Sequence, residues 1–190
     1  MFARTERLML RPGWREDAPA LLRAIADETI IRNLASAPWP YALADAEAFL
    51  AREPHPAEPV FLVFRRTSAE PELIGCIGLS RAPVEGMEIG YWLARQHWGR
   101  GYATEAGHAV LDIARHGLRL RRLHGSHFLD NPASGAVLTK LGFRATGEVI
   151  PRFSAGRRGA DLTRTFVLDF QDAAPVAQPA MPAPLAMVGA

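Results

Sequence analysis

The chain has a single cysteine, Cys76, among its 190 residues. One thiol excludes an intrachain disulfide and a cysteine-rich zinc site. Cys76 lies in the apolar run Leu73-Ile74-Gly75-Cys76-Ile77-Gly78-Leu79, the setting of a buried, inert thiol rather than of a nucleophile. No apolar run has the length needed to cross a bilayer. The start, Met1-Phe2-Ala3-Arg4-Thr5-Glu6-Arg7, has no signal-peptide core, so a cytoplasmic location and no membrane partner are the expectations. Strong charge imbalance is missing as well, because the net charge is only +2; nucleic acid is therefore not an expected partner. The histidines (His55, His97, His108, His116, His124 and His127) show no metal-ligand spacing, and His124 and His127 on one strand would face opposite sides. No metal is expected. Two phosphate and nucleophile motifs are also absent: Gly-x-x-x-x-Gly-Lys-Ser/Thr and Gly-x-Ser-x-Gly.

What is present is an ordinary globular composition, 48% apolar and 22% charged, in a length suited to one domain. Residues 1–170 read as that domain. Residues 171–190 change character: Pro175, Pro179, Pro182 and Pro184 sit among alanines, a composition that favours an extended or disordered tail. Within the domain, apolar spacing predicts strands over 7–11, 60–65, 73–79, 88–94, 122–128, 143–148 and 162–169, and helices over 15–27, 43–52, 104–117 and 133–141. The expected fold is α/β, with a mixed, mostly antiparallel sheet of about seven strands flanked by helices. Arg115, His116, Arg119, Arg121, Arg122 and His124 form a local basic cluster. It reads first as a solvated helix end; a contact to a polyanion, or to a terminal phosphate of a ligand, is the other use.

The most informative segment is Ile89-Gly90-Tyr91-Trp92-Leu93-Ala94-Arg95-Gln96-His97-Trp98-Gly99-Arg100-Gly101-Tyr102-Ala103-Thr104-Glu105-Ala106. It reads as strand, glycine loop and helix start. Glycines let a ligand approach the backbone, and the orphan N–H groups of a helix N-terminus, with its dipole, suit a pyrophosphate. A dinucleotide fingerprint fits less well, since Thr104 stands where a third glycine belongs, although Asp130 offers an acid after the next strand. A turn that only connects strand to helix is the plainest alternative.

The string Gln96-His97-Trp98-Gly99-Arg100-Gly101 resembles the acyl-CoA loop of the GNAT superfamily of N-acetyltransferases. Farther on, strand 122–128, Asn131-Pro132-Ala133-Ser134, a short helix and Leu141-Gly142-Phe143 follow in the order of a GNAT domain's second half. Thr5-Glu6-Arg7-Leu8-Met9-Leu10-Arg11-Pro12 is similar to the first strand of the branch that acetylates ribosomal-protein N-termini, the RimJ/RimL type. The resemblance runs from about Thr5 to Asp169. It implies a splayed central strand pair that admits acetyl-CoA, and direct transfer of acetyl to a primary amine without a metal. It also implies that Trp92, Leu93 and Ala94 hold the pantetheine through their backbone. Gln96, Gly99, Arg100, Gly101, Tyr102 and Ala103 would hold the pyrophosphate, with Asn131 near the pantetheine or a water.

Catalysis then needs a proton acceptor for the ammonium, a donor to the developing oxyanion and a proton for the leaving thiolate. Glu88 is the candidate base, on the strand leading into the wedge, with Glu148 weaker. Ser134 is the candidate acid, with Tyr91 and Tyr102 as substitutes. Asn131 and Ser134 also fit an N-cap and N3 position, with Pro132 at N1. By the same resemblance, the first two helices, the loop near Trp39 and Tyr41, and residues 152–158 should border the acceptor, with plain core an equal reading for Trp39. Freeing an α-amine of its proton at pH 7 costs about 1 kcal/mol, and a lysine about 4.6 kcal/mol, so one base suits an α-amine better. A peptide N-terminus is the favoured acceptor, with a small amine or amino acid, or a CoA-binding module without turnover, as alternatives. A homodimer is allowed.

Overall fold

The computed structural model describes residues 1–82 and 86–170; the proline- and alanine-rich tail read as extended lies outside them. Eight strands form one sheet: β1 (Ala3–Arg4), β2 (Leu8–Arg11), β3 (Val60–Arg65), β4 (Glu72–Arg81), β5 (Met87–Leu93), β6 (Arg122–Phe128), β7 (Arg144–Ser154) and β8 (Gly159–Asp169). Their order is β1-β2-β3-β4-β5-β6-β8-β7. All neighbours are antiparallel except β5 and β6. The expected mixed, mostly antiparallel sheet is therefore present. The strand beyond the expected seven is β1, whose two residues pair with Met9 and Leu10, too short to leave a period-2 signal.

The helices are α1 (Ala18–Ile25), α2 (Glu28–Ile31), α3 (Leu43–Leu50), α4 (Tyr102–Asp112) and α5 (Pro132–Lys140). The first predicted helix is divided. A 3-10 turn at Arg15–Asp17 precedes α1, and Pro19 sits in the first turn of α1, where its missing N–H costs nothing. Asp27 then extends, and its side chain accepts the Thr29 N–H to start α2.

Two apolar clusters lie on the two faces of the sheet. Leu8, Leu10, Phe61, Ile74, Ile77, Ile89, Leu123 and Leu138 belong to the larger, beneath α4 and α5. Leu21, Ala46, Leu62, Phe64 and Cys76 belong to the other, beneath α1 and α3. The alternation along β3 and β4 sends neighbouring residues to opposite clusters, as a pleated strand must. Cys76 is buried, and burial pushes its thiol up to about 12, so it stays protonated and inert.

Both β7 and β8 are longer than their apolar patterns suggest. The predicted end of β7 at Glu148 is not an end; pairing resumes at Val149↔Arg164 after an irregularity and continues to Ser154↔Gly159. Pro151 is tolerated because β7 is an edge strand. This extension moves Arg152 from a supposed loop onto a rigid ladder, opposite Asp161.

Candidate active site

The central feature is where β5 and β6 part. They share one paired position, Glu88↔His124. β5 stays with β4 over seven positions, from Arg81↔Met87 to Gly75↔Leu93. β6 stays with β8 from Arg122↔Asp169 to Phe128↔Thr163. Each half-sheet keeps its own partner, so a wedge opens between them. A cleft of about 550 Å³ fills that wedge and continues over the start of α4.

The backbone of β5 decides what faces the wedge. The Ala94 N–H donates to Ile74 O at 2.8 Å. Antiparallel alternation then turns the amides of the even-numbered residues toward β4 and those of Tyr91 and Leu93 toward the wedge. The Leu93 carbonyl accepts from Trp98 Nε1 at 2.7 Å. Of the residues assigned to pantetheine by resemblance, Leu93 turns its N–H to the wedge, as does Tyr91, whereas Trp92 and Ala94 turn theirs to β4. Trp92 lines the cleft; Ala94 does not, and its N–H is already used.

The loop after β5 ends with two left-handed glycines, Gly99 at φ 71° and Gly101 at φ 80°. Side chains rarely adopt that region. A Cβ on Gly99 would meet no atom within 4 Å, and one on Gly101 only Arg7 Nη2 at 3.5 Å. The space beside both is open. Backbone N–H groups from Gly99 to Thr104 find no protein acceptor among the described residues. Together they form an anion cradle at the positive end of α4. Gly99, Gly101, Tyr102 and Ala103 line the cleft, whereas the side chains of Gln96 and Arg100 are exposed and do not. Glu105, an acid in this first turn, accepts from Thr5 and Arg7, which keeps it away from the cradle. Arg7 also donates to Arg100 O at 3.1 Å and lies 4.6 Å from the centroid of Tyr102. His97 is a lining residue not singled out from sequence. It is buried, its Nε2 lies 3.2 Å from Glu72 Oε1 and its Nδ1 has no partner among the described residues.

On the α4–α5 side of β5, Tyr91 Oη lies 2.9 Å from Ser134 O and 3.0 Å from Ser134 Oγ. A carbonyl only accepts, so Tyr91 spends its proton there, and Ser134 Oγ–H is the donor of the second bond. Burial pushes Tyr91 up to about 12, with the Ser134 bond opposing. Ser134 N donates to Asn131 Oδ1 at a long 3.4 Å. The N-cap reading is therefore right in kind, and Asn131 still lines the cleft.

On the opposite face, Glu88 is 6% exposed and sits at the point where the strands part. Arg152 Nη1 and Nη2 donate to Glu88 Oε1 and Oε2, and Ser126 Oγ–H donates to Oε1 at 2.7 Å. Ser126 in turn accepts from Arg152 Nη1. Oε2 has the smaller load, a single bond from Nη2. Thr29, Ile30, Asn33 and Leu34, on and after α2, wall this end of the cleft. Trp39 and Tyr41, expected at the acceptor border, instead pack against Ile25, Ile30 and Ile31 and do not line it. Glu148 is exposed on β7, outside the lining.

The arrangement is a set of main-chain N–H groups suited to an anion, a slot lined by main chain, and a charged cluster at the other end. Fold and site together are those of an acyl-transfer enzyme. The chain belongs to the GNAT acetyltransferase family: the family described as acetyltransferase (GNAT) domain matches residues 7–144. It is 30% identical over 150 residues to the uncharacterized N-acetyltransferase YoaA of Bacillus subtilis, covering 75% of this chain and 82% of that one. It is 36% identical over 90 residues to the ribosomal-protein-serine acetyltransferase of Escherichia coli, covering 46% and 48% of the two chains. This second match supports the resemblance to the branch that acetylates ribosomal proteins. RimL, a ribosomal L7/L12 alpha-N-protein acetyltransferase solved in complex with coenzyme A, shares the fold with a TM-score of 0.71, at 18% identity, covering 89% of this chain and 98% of that one. Among the described residues no group of three or more His, Cys, Asp or Glu could hold a metal, and no helix is long and apolar enough to cross a membrane.

Proposed function

We propose that this protein transfers acetyl directly from acetyl-CoA to a primary amine, in one ternary complex. The observation that carries this reading is the β5–β6 wedge, with Tyr91 and Leu93 main chain on one wall and the Gly99–Thr104 N–H groups at its mouth. The pyrophosphate fits that cradle and the pantetheine fits the slot. The Leu93 or Tyr91 N–H, aimed into the slot, is the donor for negative charge developing on the thioester oxygen.

The acceptor enters at the charged end. An ammonium gives one proton to Glu88 Oε2, the carboxylate oxygen with spare acceptor capacity. The freed nitrogen lone pair attacks the thioester carbon, and the carbon–sulfur bond breaks. The Ser134 hydroxyl, turning from Tyr91 Oη to the sulfur, protonates the leaving thiolate, and one of the two remaining N–H protons leaves the adduct to reprotonate Ser134 and give the neutral amide, which keeps the other. One proton is released overall. The modest cost of freeing an α-amine, about 1 kcal/mol at pH 7, suits a base already engaged by Arg152. A peptide N-terminus is thus the favoured acceptor class, in keeping with the named activity of the Escherichia coli relative.

Incubation of the protein with labelled acetyl-CoA and a cell extract, followed by mass spectrometry of peptides and metabolites, tests this directly. Label on amine nitrogen is expected. Tight CoA binding with no labelled amine would leave a binding module without turnover.

A further inference from the structure

The acceptor end contains a recognition element that the transfer chemistry does not use. Arg152 presents two edges on which a guanidinium can grip a carboxylate: the end edge, Nη1 with Nη2, and the side edge, Nε with Nη2. The end edge is spent on Glu88, and the second Nη1 hydrogen goes to Ser126. On the side edge, the Nε–H and the second Nη2–H have no partner among the described residues. Arg152 lines the cleft with its side chain 26% exposed. Its backbone is held in the β7–β8 ladder and its head by Glu88 and Ser126. A forked donor held in place this way loses little further freedom when a ligand arrives.

We infer that the free edge of Arg152 binds a carboxylate of the acceptor, so that the substrate is an amine carrying a carboxylate close to its nitrogen. The inference rests on the acetyltransferase reading above. Nη2 is shared: one hydrogen points to Glu88 Oε2, the proposed proton acceptor, and the other belongs to the open edge. An ammonium at Oε2 and a carboxylate at the Nε–Nη2 edge therefore lie side by side around one nitrogen. A zwitterion matches that pair of opposite charges, whereas an amine without an acid leaves the open donors to water. Two sources supply this chemistry: a free α-amino acid, or a peptide with an acidic residue next to its N-terminus.

The test uses the full chain at saturating acetyl-CoA with matched acceptors, alanine against alaninamide, and a tetrapeptide with aspartate at its second position against the same peptide with asparagine there. The acid member of one pair is expected to be favoured by about tenfold or more in kcat/KM, the scale of a charge-assisted fork. The pair that shows it identifies the source. Arg152→Gln and Arg152→Lys should both shrink the preference to about twofold. Arg152→Lys keeps a cation facing Glu88, so a folding failure of Arg152→Gln does not block the result. Equal use of acid and neutral acceptors by the unaltered protein overturns the inference while leaving the acetyltransferase reading intact. A preference that persists in Arg152→Lys overturns it as well. Absence of acetyl-CoA binding removes both.

Discussion

The two ends of the cleft are built by different means. The end proposed for CoA is made of main chain: amides of Tyr91 and Leu93 that face away from β4, and N–H groups of Gly99 to Thr104 at the start of α4. The acceptor end is made of side chains brought from β5, β6 and β7: Glu88, Ser126 and Arg152. Main-chain recognition depends on where the backbone turns, so it tolerates substitution at most positions and demands glycine where φ is positive. Side-chain recognition depends on which residues meet, so one substitution can redirect it. One cosubstrate and a changeable acceptor is what that division permits.

Five substitutions and one change of pH would break or sharpen this contrast. The largest effect is expected at the acceptor end. Glu88→Gln should lower kcat by roughly 10²–10⁴, the range for loss of a general base, while CoA affinity by calorimetry stays unchanged. It also leaves Arg152 without its charge partner, so the melting curve should show a loss of about 1–3 kcal/mol, below the full value of a buried pair because Arg152 is partly exposed. Full activity in this variant would remove Glu88 from the chemistry.

At the CoA end, Gly101→Val should weaken CoA binding at least tenfold, about 1.4 kcal/mol. A branched residue at φ 80° must also shift the loop that begins α4. Unchanged CoA affinity would sink the cradle. Between the two ends, Ser134→Ala should lower kcat about tenfold or more, within the span of acid–base catalysis, with little change in melting temperature. Asn131→Ala should cost only about 0.5 kcal/mol, the low end for an N-cap, given its 3.4 Å bond. Wild-type turnover in Ser134→Ala would show that another group, or water, protonates the thiolate.

The smallest effect concerns pH and the Arg11–Asp17 pair that ties β2 to the turn before α1. Asp17 is buried, which alone would raise its pKa, but hydrogen bonds from Arg11 and Trp14 and the Arg11 charge outweigh burial and hold the carboxyl below its usual range. A lowered folded value contributes stability that is present above the unfolded pKa and is lost as pH falls through the folded one. The melting temperature should therefore decline on acidification below about pH 4, and Asp17→Asn should flatten that limb. An unchanged slope in Asp17→Asn would assign acid sensitivity to other carboxylates.

The legible parts of the molecule were those in which neighbours in sequence are neighbours in space. Gly99, Gly101 and the onset of α4 fall within one short segment, and Asn131, Pro132 and Ser134 cap one helix, so spacing alone exposed them. Tyr91 was visible only as a substitute acid, because its partner Ser134 lies forty-three residues away. Arg152 fell between the predicted strands 143–148 and 162–169, whereas β7 runs on through Pro151, which its edge position makes acceptable. Trp39 and Tyr41 pack against Ile25, Ile30 and Ile31, the core reading that the sequence left open for Trp39; α2 is too short to leave a periodic pattern that would have decided it.

By itself the sequence determined the family, the mixed sheet with flanking helices and the place of the phosphate loop, since these follow from local periodicity and from conformations that glycine alone adopts readily. Tertiary structure decided which amides face the wedge, because strand pairing turns alternate residues toward β4 or away from it. It also decided that Glu88, Ser126 and Arg152 form one hydrogen-bonded group. Those three lie on strands joined only through the order β5-β6-β8-β7, and no short-range pattern records which side chains such an order brings together.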